Sequence, residues 1–411
     1  MSAESLHWRR NMYVCLFGSF TNVTAMTLLL PFLPIYVEHL GVKGHAAIVQ
    51  WSGIAYGISF LGAGLLAPVW GRFADLYGRK LILMRASLAM AICMSLIGVA
   101  QNIWQLVALR LLAGLLGGYA SGAVVLVATQ TPKERAAWAL GTLSTGTMAG
   151  TLLGPLIGGV LPGLIGLRET FFLAGGTIFI AFIATSLLIH EDRSTIPGRA
   201  RRVAGAWSMI PDRRPVIAML TTAMLLMLAN MSIEPIITVY VAQLVPEARV
   251  VFISGVVMAA SAVGSVLAAP RLGRLADRVG PWNLVIGSLA VCGVLLIPQA
   301  FVSNGWELIG LRFLMGMSLA GLLPSINATI RHSVPAGGAG MILGYGTSAQ
   351  YTGQVLGPLA GGFVGGHFGM RAVFLATTVI MFCGAAYNWV VSRRVAEVAP
   401  VSVPATRGEA S

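Results

Sequence analysis

Of the 411 residues, 56% are hydrophobic and only 10% charged. A soluble domain carries roughly 25% charged residues, so no water-facing surface can be made from this chain and a soluble enzyme is excluded. The net charge of +13 would suit a nucleic-acid partner, but 21 of the 27 Lys and Arg fall on one set of alternating loops and termini, which is the positive-inside asymmetry of a membrane protein and excludes nucleic acid.

Crossing a hydrocarbon core about 30 Å thick takes ~20 apolar residues, and in lipid only a helix or a closed barrel satisfies its own backbone. Apolar helical spans are predicted at 12–37, 48–71, 80–100, 103–128, 137–163, 169–190, 215–240, 250–272, 282–302, 306–330, 339–366 and 371–392. Arg9 and Arg10 lead directly into the first span, which is expected to be its own targeting signal in place of a cleaved peptide. An even number of spans puts both termini on one side, and the positive-inside asymmetry makes that side cytoplasmic. The predicted organisation is an N-terminal six-helix bundle at 1–190, a cytoplasmic linker at 191–214 with Arg193, Arg199, Arg201, Arg202, Arg213 and Arg214, a C-terminal six-helix bundle at 215–394, and a disordered cytoplasmic tail at 395–411. Cys15, Cys93, Cys292 and Cys383 lie inside apolar spans without CxxC spacing and read as packing residues. His190 and His367 have no metal-ligand spacing, so neither a metal nor a cofactor is expected.

The two bundles repeat one another. Ala67–Asp75 reads APVWGRFAD and Ala269–Asp277 reads APRLGRLAD, 202 positions on; Arg110 and Gly114 recur at Arg312 and Gly316 at the same offset. GTLLGPLIGG at Gly150–Gly159 recurs as GQVLGPLAGG at Gly353–Gly362, and Pro31 and Tyr36 are mirrored by Pro235 and Tyr240. Each half has an even number of spans, so the copies run parallel, a layout that places a transport site between them near the midplane. The fold expected is an all-α membrane protein with twelve transmembrane helices in two pseudo-symmetric six-helix bundles.

Three motifs carry a resemblance to a known family. Gly71-Arg72-Phe73-Ala74-Asp75-Leu76-Tyr77-Gly78-Arg79-Lys80 resembles the loop 2-3 motif of the major facilitator superfamily, departing from it at Phe73 and Leu76. Arg110 with Gly114 resembles the span-4 motif, with Ala113 where a Gln is common, and GTLLGPLIGG resembles the span-5 motif of proton-driven antiporters. With Leu30-Pro31-Phe32-Leu33-Pro34-Ile35-Tyr36 in span 1, the chain is most similar to the twelve-span drug:proton antiporters of the MdtG-type multidrug resistance group. That resemblance implies a monomeric secondary transporter in contact with the lipid bilayer. It would couple export of lipophilic or amphipathic small molecules to protons by alternating access. A narrow-specificity metabolite exporter, symporter or uniporter of the same fold is the alternative, and a non-transporting receptor a distant one.

Glu234 is the one carboxylate that falls well inside an apolar span. Burial disfavours its charged form, which suits it to load and release a proton; the competing reading is a water-exposed vestibule charge, since Tyr240 at the span end is six residues away. Pro235 is expected to kink span 7. Arg110, about seven residues into span 4, raises insertion free energy by about 2.5–3.5 kcal/mol. The resemblance implies a proton-coupling role for it, against an Arg held by backbone carbonyls. Asp75, among Arg72, Arg79, Lys80 and Arg85, is expected to accept helix N-terminal N–H groups and to fasten the cytoplasmic ends, as Arg274 and Asp277 would in the second half. Gly150, Gly154 and Gly158, with Pro155 and Gly159, form a smooth face for close helix contact. Substrate contacts are expected at Asn22, Tyr56, Tyr119, Asn230, Asn327, Gln350 and Gln354 in an apolar cavity with few polar anchors.

Overall fold

A computed structural model describes residues 4–191, 207, 210, 212–335 and 339–398, which form helices and, among the described residues, no strand. Span 1 is α1 (Glu4–Leu28), a 3-10 turn at Leu30–Phe32 and α2 (Leu33–His39). Spans 2 and 3 are α3 (His45–Tyr77) and α4 (Arg79–Gly98), and span 4 is α5 (Ile103–Leu116) with α6 (Tyr119–Gln130). Then α7 (Ala136–Ile165) and α8 (Leu167–Leu188) end the first half. Span 7 is α9 (Arg214–Ile233), a 3-10 turn at Glu234–Ile236 and α10 (Ile237–Val241). It is followed by α11 (Val250–Val279) and α12 (Pro281–Gln299), by α13 (Gly305–Leu319) with α14 (Leu322–Ser333) as span 10, and by α15 (Ala339–Phe368) and α16 (Met370–Val398).

Eleven of these segments are long and apolar enough to cross a membrane, and the chain is an integral membrane protein of twelve spans. The twelfth, α15, carries Ser348, Gln350, Tyr351, Thr352 and Gln354 at its middle, and it packs between α3 and α9, so much of this polarity meets protein and cavity. Helix α16 runs to Val398, past the predicted start of a disordered tail at 395, because no helix-breaking residue intervenes before Pro400. The rest of that tail, and most of the linker with Arg193, Arg199, Arg201 and Arg202, lie outside the described residues.

Packing repeats with the sequence. α1 lies on α7, α3 on α5 and α4 on α8; in the second half α9 lies on α15, α11 on α13 and α12 on α16. The small-residue stripe sets the first of these contacts. Gly150 faces Phe20 and Thr24, Gly154 faces Thr24 and Thr27, and a Cβ at Gly158 would collide with the carbonyl oxygen of Leu28. Gly353, Gly357 and Gly361 meet Met224, Leu228 and Ser232 of α9 in the same way. One residue on, the contact changes partner: Gly159 faces Val251 and Gly255 of α11, and Gly362 faces Val49 and Gln50 of α3. These are the two seams between the halves, α7 on α11 and α3 on α15. With no hydrophobic drive between helices in lipid, such close backbone approach supplies the van der Waals contact that holds them together.

Spans 1, 4, 7 and 10 are broken, and these are the spans that carry Asn22, Arg110, Glu234 and Arg312. Proline explains two of the breaks, at Pro31 with Pro34 and at Pro235, which lack the N–H a continuous helix needs. In span 4 the chain turns at Gly117-Gly118, where Gly118 has φ 102, a left-handed conformation that favours glycine.

Candidate functional site

Arg110 and Arg312, each 1% exposed, are the largest fully buried side chains of the described protein. Arg110 donates from Nε to the Ala55 carbonyl at 3.1 Å and lies 5.7 Å from the ring centroid of Tyr56. Arg312 reaches Met315 Sδ at 3.6 Å. Among the described residues, Nη2 of Arg110 and Nε of Arg312 have no partner. Charges in so apolar a place act over longer range than in water, and Arg312 is close enough to Glu234 to act on it electrostatically.

Glu234 opens the 3-10 turn of span 7. The turn exists because Pro235 interrupts the helix, and it delivers the carboxylate to the seam between the halves. Oε2 accepts a hydrogen bond from the Tyr56 hydroxyl of α3 at 3.2 Å, and Oε1 accepts one from Asn230 Nδ2 of α9 at 3.2 Å. The residue is half-buried, and its carboxylate is held by groups from both halves.

Beside this cluster lies a cavity. One lobe of about 330 Å³ is bordered by Ala67, Trp70, Gly71 and Gly122, a second of about 290 Å³ by Asn22, Ser59, Gln350 and Gln354, and both by Ala63, Gly114, Ser121, Thr347 and Tyr351. The lining comes from both halves and is mainly apolar. The halves part here, toward the end of α3 that bears the Gly71–Lys80 loop. At the other end they touch: Gly53 sits on Pro358, Gly255 on Pro155, and Thr238 Oγ1 donates to the Pro31 carbonyl at 3.0 Å.

Of the residues nominated for substrate, Asn22, Tyr119, Gln350 and Gln354 border the cavity. Asn22 also donates to the Gly18 carbonyl at 2.8 Å, and Gln354 Nε2 rests on Met227 Sδ at 3.6 Å. The Tyr119 hydroxyl is engaged inside the bundle with Thr185 Oγ1 at 2.7 Å. Tyr56 and Asn230 are gathered onto Glu234, and Asn327 is exposed on α14 and does not border either lobe. One backbone carbonyl, that of Ala55, accepts from Arg110.

At the loop, Gly71 and Arg72 are exposed at the end of α3, and Gly78 turns with φ 93. The carboxylate seated on the N-terminus of α4 is Glu191, which accepts the backbone N–H of Arg79 and of Lys80, each at 2.7 Å; the helix dipole favours a negative charge there. That place is the one expected for Asp75, whose side chain lies outside the described residues; Glu191 belongs to the acidic pair Glu191-Asp192 just beyond span 6. Arg79 Nη1 donates to Thr129 Oγ1 at 2.6 Å. Arg85, read as a member of the same charge set, lies 3.4 Å from the Trp70 ring centroid and donates to the Gly117 carbonyl at 3.2 Å. Arg274 and Asp277 are exposed near the end of α11, Arg274 donating to the Pro270 carbonyl at 3.4 Å. Cys15, Cys93 and Cys292 are buried as packing residues, whereas Cys383 is exposed. Among the described residues no group of three or more His, Cys, Asp or Glu is placed to hold a metal.

Repeated six-span halves around a central cavity open to one side define the architecture of a secondary transporter. The chain belongs to the Major Facilitator Superfamily, whose sequence model matches residues 15–297 and 249–410, and so to a family of transporters and not of enzymes. It is 42% identical over 385 residues to the multidrug resistance protein MdtG of Proteus mirabilis (strain HI4320), covering 93% of this chain and 96% of that protein. It is 41% identical over 392 residues to the MdtG of Dickeya zeae (strain Ech586), covering 95% and 96%. Among solved structures, a bacterial homolog of the human lysosomal transporter Spinster, inward-facing and unoccupied, has a TM-score of 0.77 at 14% identity, covering 97% of this chain and 99% of that one. The nucleoside transporter NupG has a TM-score of 0.70 at 14% identity, covering 94% and 99%; these two likenesses concern the fold alone.

Proposed function

We propose that this chain is a proton-coupled exporter of lipophilic and amphipathic small molecules, working as a monomer by alternating access in a bacterial inner membrane with both termini cytoplasmic. Relatives with 41–42% identity over nearly their whole length are multidrug resistance proteins, and an apolar cavity with few fixed polar groups suits loosely recognised ligands. Asn22, Gln350 and Gln354 are the polar anchors of substrate.

The observation that carries the reading is the Glu234 carboxylate, bonded across the seam by Tyr56 and within range of Arg312. Ionised, it accepts the Tyr56 hydroxyl and offsets the buried guanidinium group of Arg312. Protonation removes that charge and weakens the tie between the halves. The bundles at 1–190 and 215–394 then rock about their glycine seams, with 191–214 as the tether. The exposed charges Arg72, Arg274 and Asp277, with Asp75 and the Glu191-capped Arg79 and Lys80, fasten the cytoplasmic ends when the cavity faces outward. A membrane potential adds about 2.3 kcal/mol per charge per 100 mV, enough to bias the exchange.

The test is uptake of the neutral lipophilic dye Nile red into inside-out vesicles under an imposed proton gradient. The wild type is expected to accumulate the dye and to stop when a protonophore is added. Glu234→Gln is expected to lose at least about tenfold in rate. Accumulation by Glu234→Gln at the wild-type rate would remove the proton site from this residue.

A further inference from the structure

The seams hold the two halves in a common register. Span 2 reads Ser52-Gly53-Ile54-Ala55-Tyr56 and span 8 reads Ser254-Gly255-Val256-Val257-Met258, with Gly53 on the Pro358 carbonyl and Gly255 on the Pro155 carbonyl. Tyr56 therefore occupies the place that Met258 takes in the other half. By the offset that relates Pro31 to Pro235, Glu234 occupies the place of Leu30, which is buried. The arginines are kept in both halves, as Arg110 and Arg312. The pseudo-symmetry of the buried centre thus fails at a facing pair, Tyr56 and Glu234.

Tyr56 is 4% exposed and is contacted by protein on three sides. Its hydroxyl donates to Glu234 Oε2, Arg110 lies over its ring, and the ring of Phe60, which borders the cavity, packs edge-on at 5.2 Å. Phe60 and not Tyr56 meets the cavity. We infer that Tyr56 is not a substrate contact but the positioning residue of proton coupling, carrying the charge state of Glu234 across the seam to Arg110. The inference rests on Glu234 being the proton site. An ionised carboxylate holds a hydroxyl more strongly than a protonated one, and the 3.2 Å contact, longer than a charge-assisted bond, leaves room for the charge state of Glu234 to tighten or loosen it. Protonation of Glu234 weakens the bond to the Tyr56 hydroxyl and alters what that hydroxyl and Arg110 face.

The experiment compares Tyr56→Phe, Glu234→Gln and the double variant for gradient-driven Nile red transport in inside-out vesicles, with the melting temperature of each purified protein. Tyr56→Phe is expected to lower kcat by about tenfold while KM stays within about twofold. The double variant is expected to be no slower than Glu234→Gln, since coupled residues are non-additive. Tyr56→Met, which copies the other half, is expected to repeat the loss of Tyr56→Phe and serves if that variant melts early. A raised KM with kcat retained would make Tyr56 a substrate contact and overturn the inference, as would wild-type kcat in both Tyr56 variants or fully additive losses. Wild-type transport by Glu234→Gln would overturn the proton-site reading beneath it; a dead Glu234→Gln beside an active Tyr56→Phe would overturn this inference alone.

Discussion

Gly150, Gly154 and Gly158 lie against α1 as Gly353, Gly357 and Gly361 lie against α9, and each half sends one further glycine, Gly159 or Gly362, to the seam. Against this near-identity of packing stand the buried polar groups. The first half offers Tyr56 where the second has Met258, and Leu30 where the second has Glu234. The cytoplasmic ends differ too: α8 ends at Leu188 and its next acid, Glu191, caps α4, whereas α16 continues through Arg394, the residue 203 positions after Glu191. A rocking interface needs close approach on both sides of the axis, so the small residues are duplicated. A proton site needs one carboxylate with a partner across the seam, so the chemistry is not.

The comparison is broken most severely by filling the stripe. Gly158→Leu and Gly361→Leu put side chains onto the carbonyls of Leu28 and Ser232. Each is expected to destabilise the purified protein by about 1–3 kcal/mol or more, with similar drops in melting temperature and lost transport in both. Gly163→Ala, which would meet nothing within 4 Å, is expected to stay within about 0.5 kcal/mol. A large loss at Gly158 beside none at Gly361 would end the claim that the halves pack alike. A smaller effect sharpens the other side of the comparison. Glu191→Ala removes the acceptor from the N–H groups of Arg79 and Lys80 and is expected to cost about 1 kcal/mol, read in the melting temperature, whereas Arg394→Ala in the second half is expected to change little.

The fold was legible in the sequence because apolar length and repetition are additive signals. Twelve spans follow from runs of about twenty residues, and the halves from GTLLGPLIGG and GQVLGPLAGG. Pro235 announced the break in span 7. The break at Gly117-Gly118 was hidden, because glycine is common in membrane helices and only the left-handed turn at Gly118 distinguishes it. The site was legible in its charges, Glu234, Arg110 and Arg312, which stand out against apolar neighbours. Its partners were not. Tyr56 and Glu234 are 178 positions apart, and Glu191 is 112 from Arg79, so a tertiary approach that no local pattern encodes decides who meets whom. That is why the sequence alone places Tyr56 in the cavity and does not single out Glu191 as the acid on α4.

The most direct measurement is proton release from the purified transporter in a weakly buffered, dye-monitored solution on addition of a lipophilic substrate such as Nile red. Exchange of proton for substrate at Glu234 predicts a release of about one proton per molecule from the wild type and none from Glu234→Gln. Equal release from both proteins would contradict it.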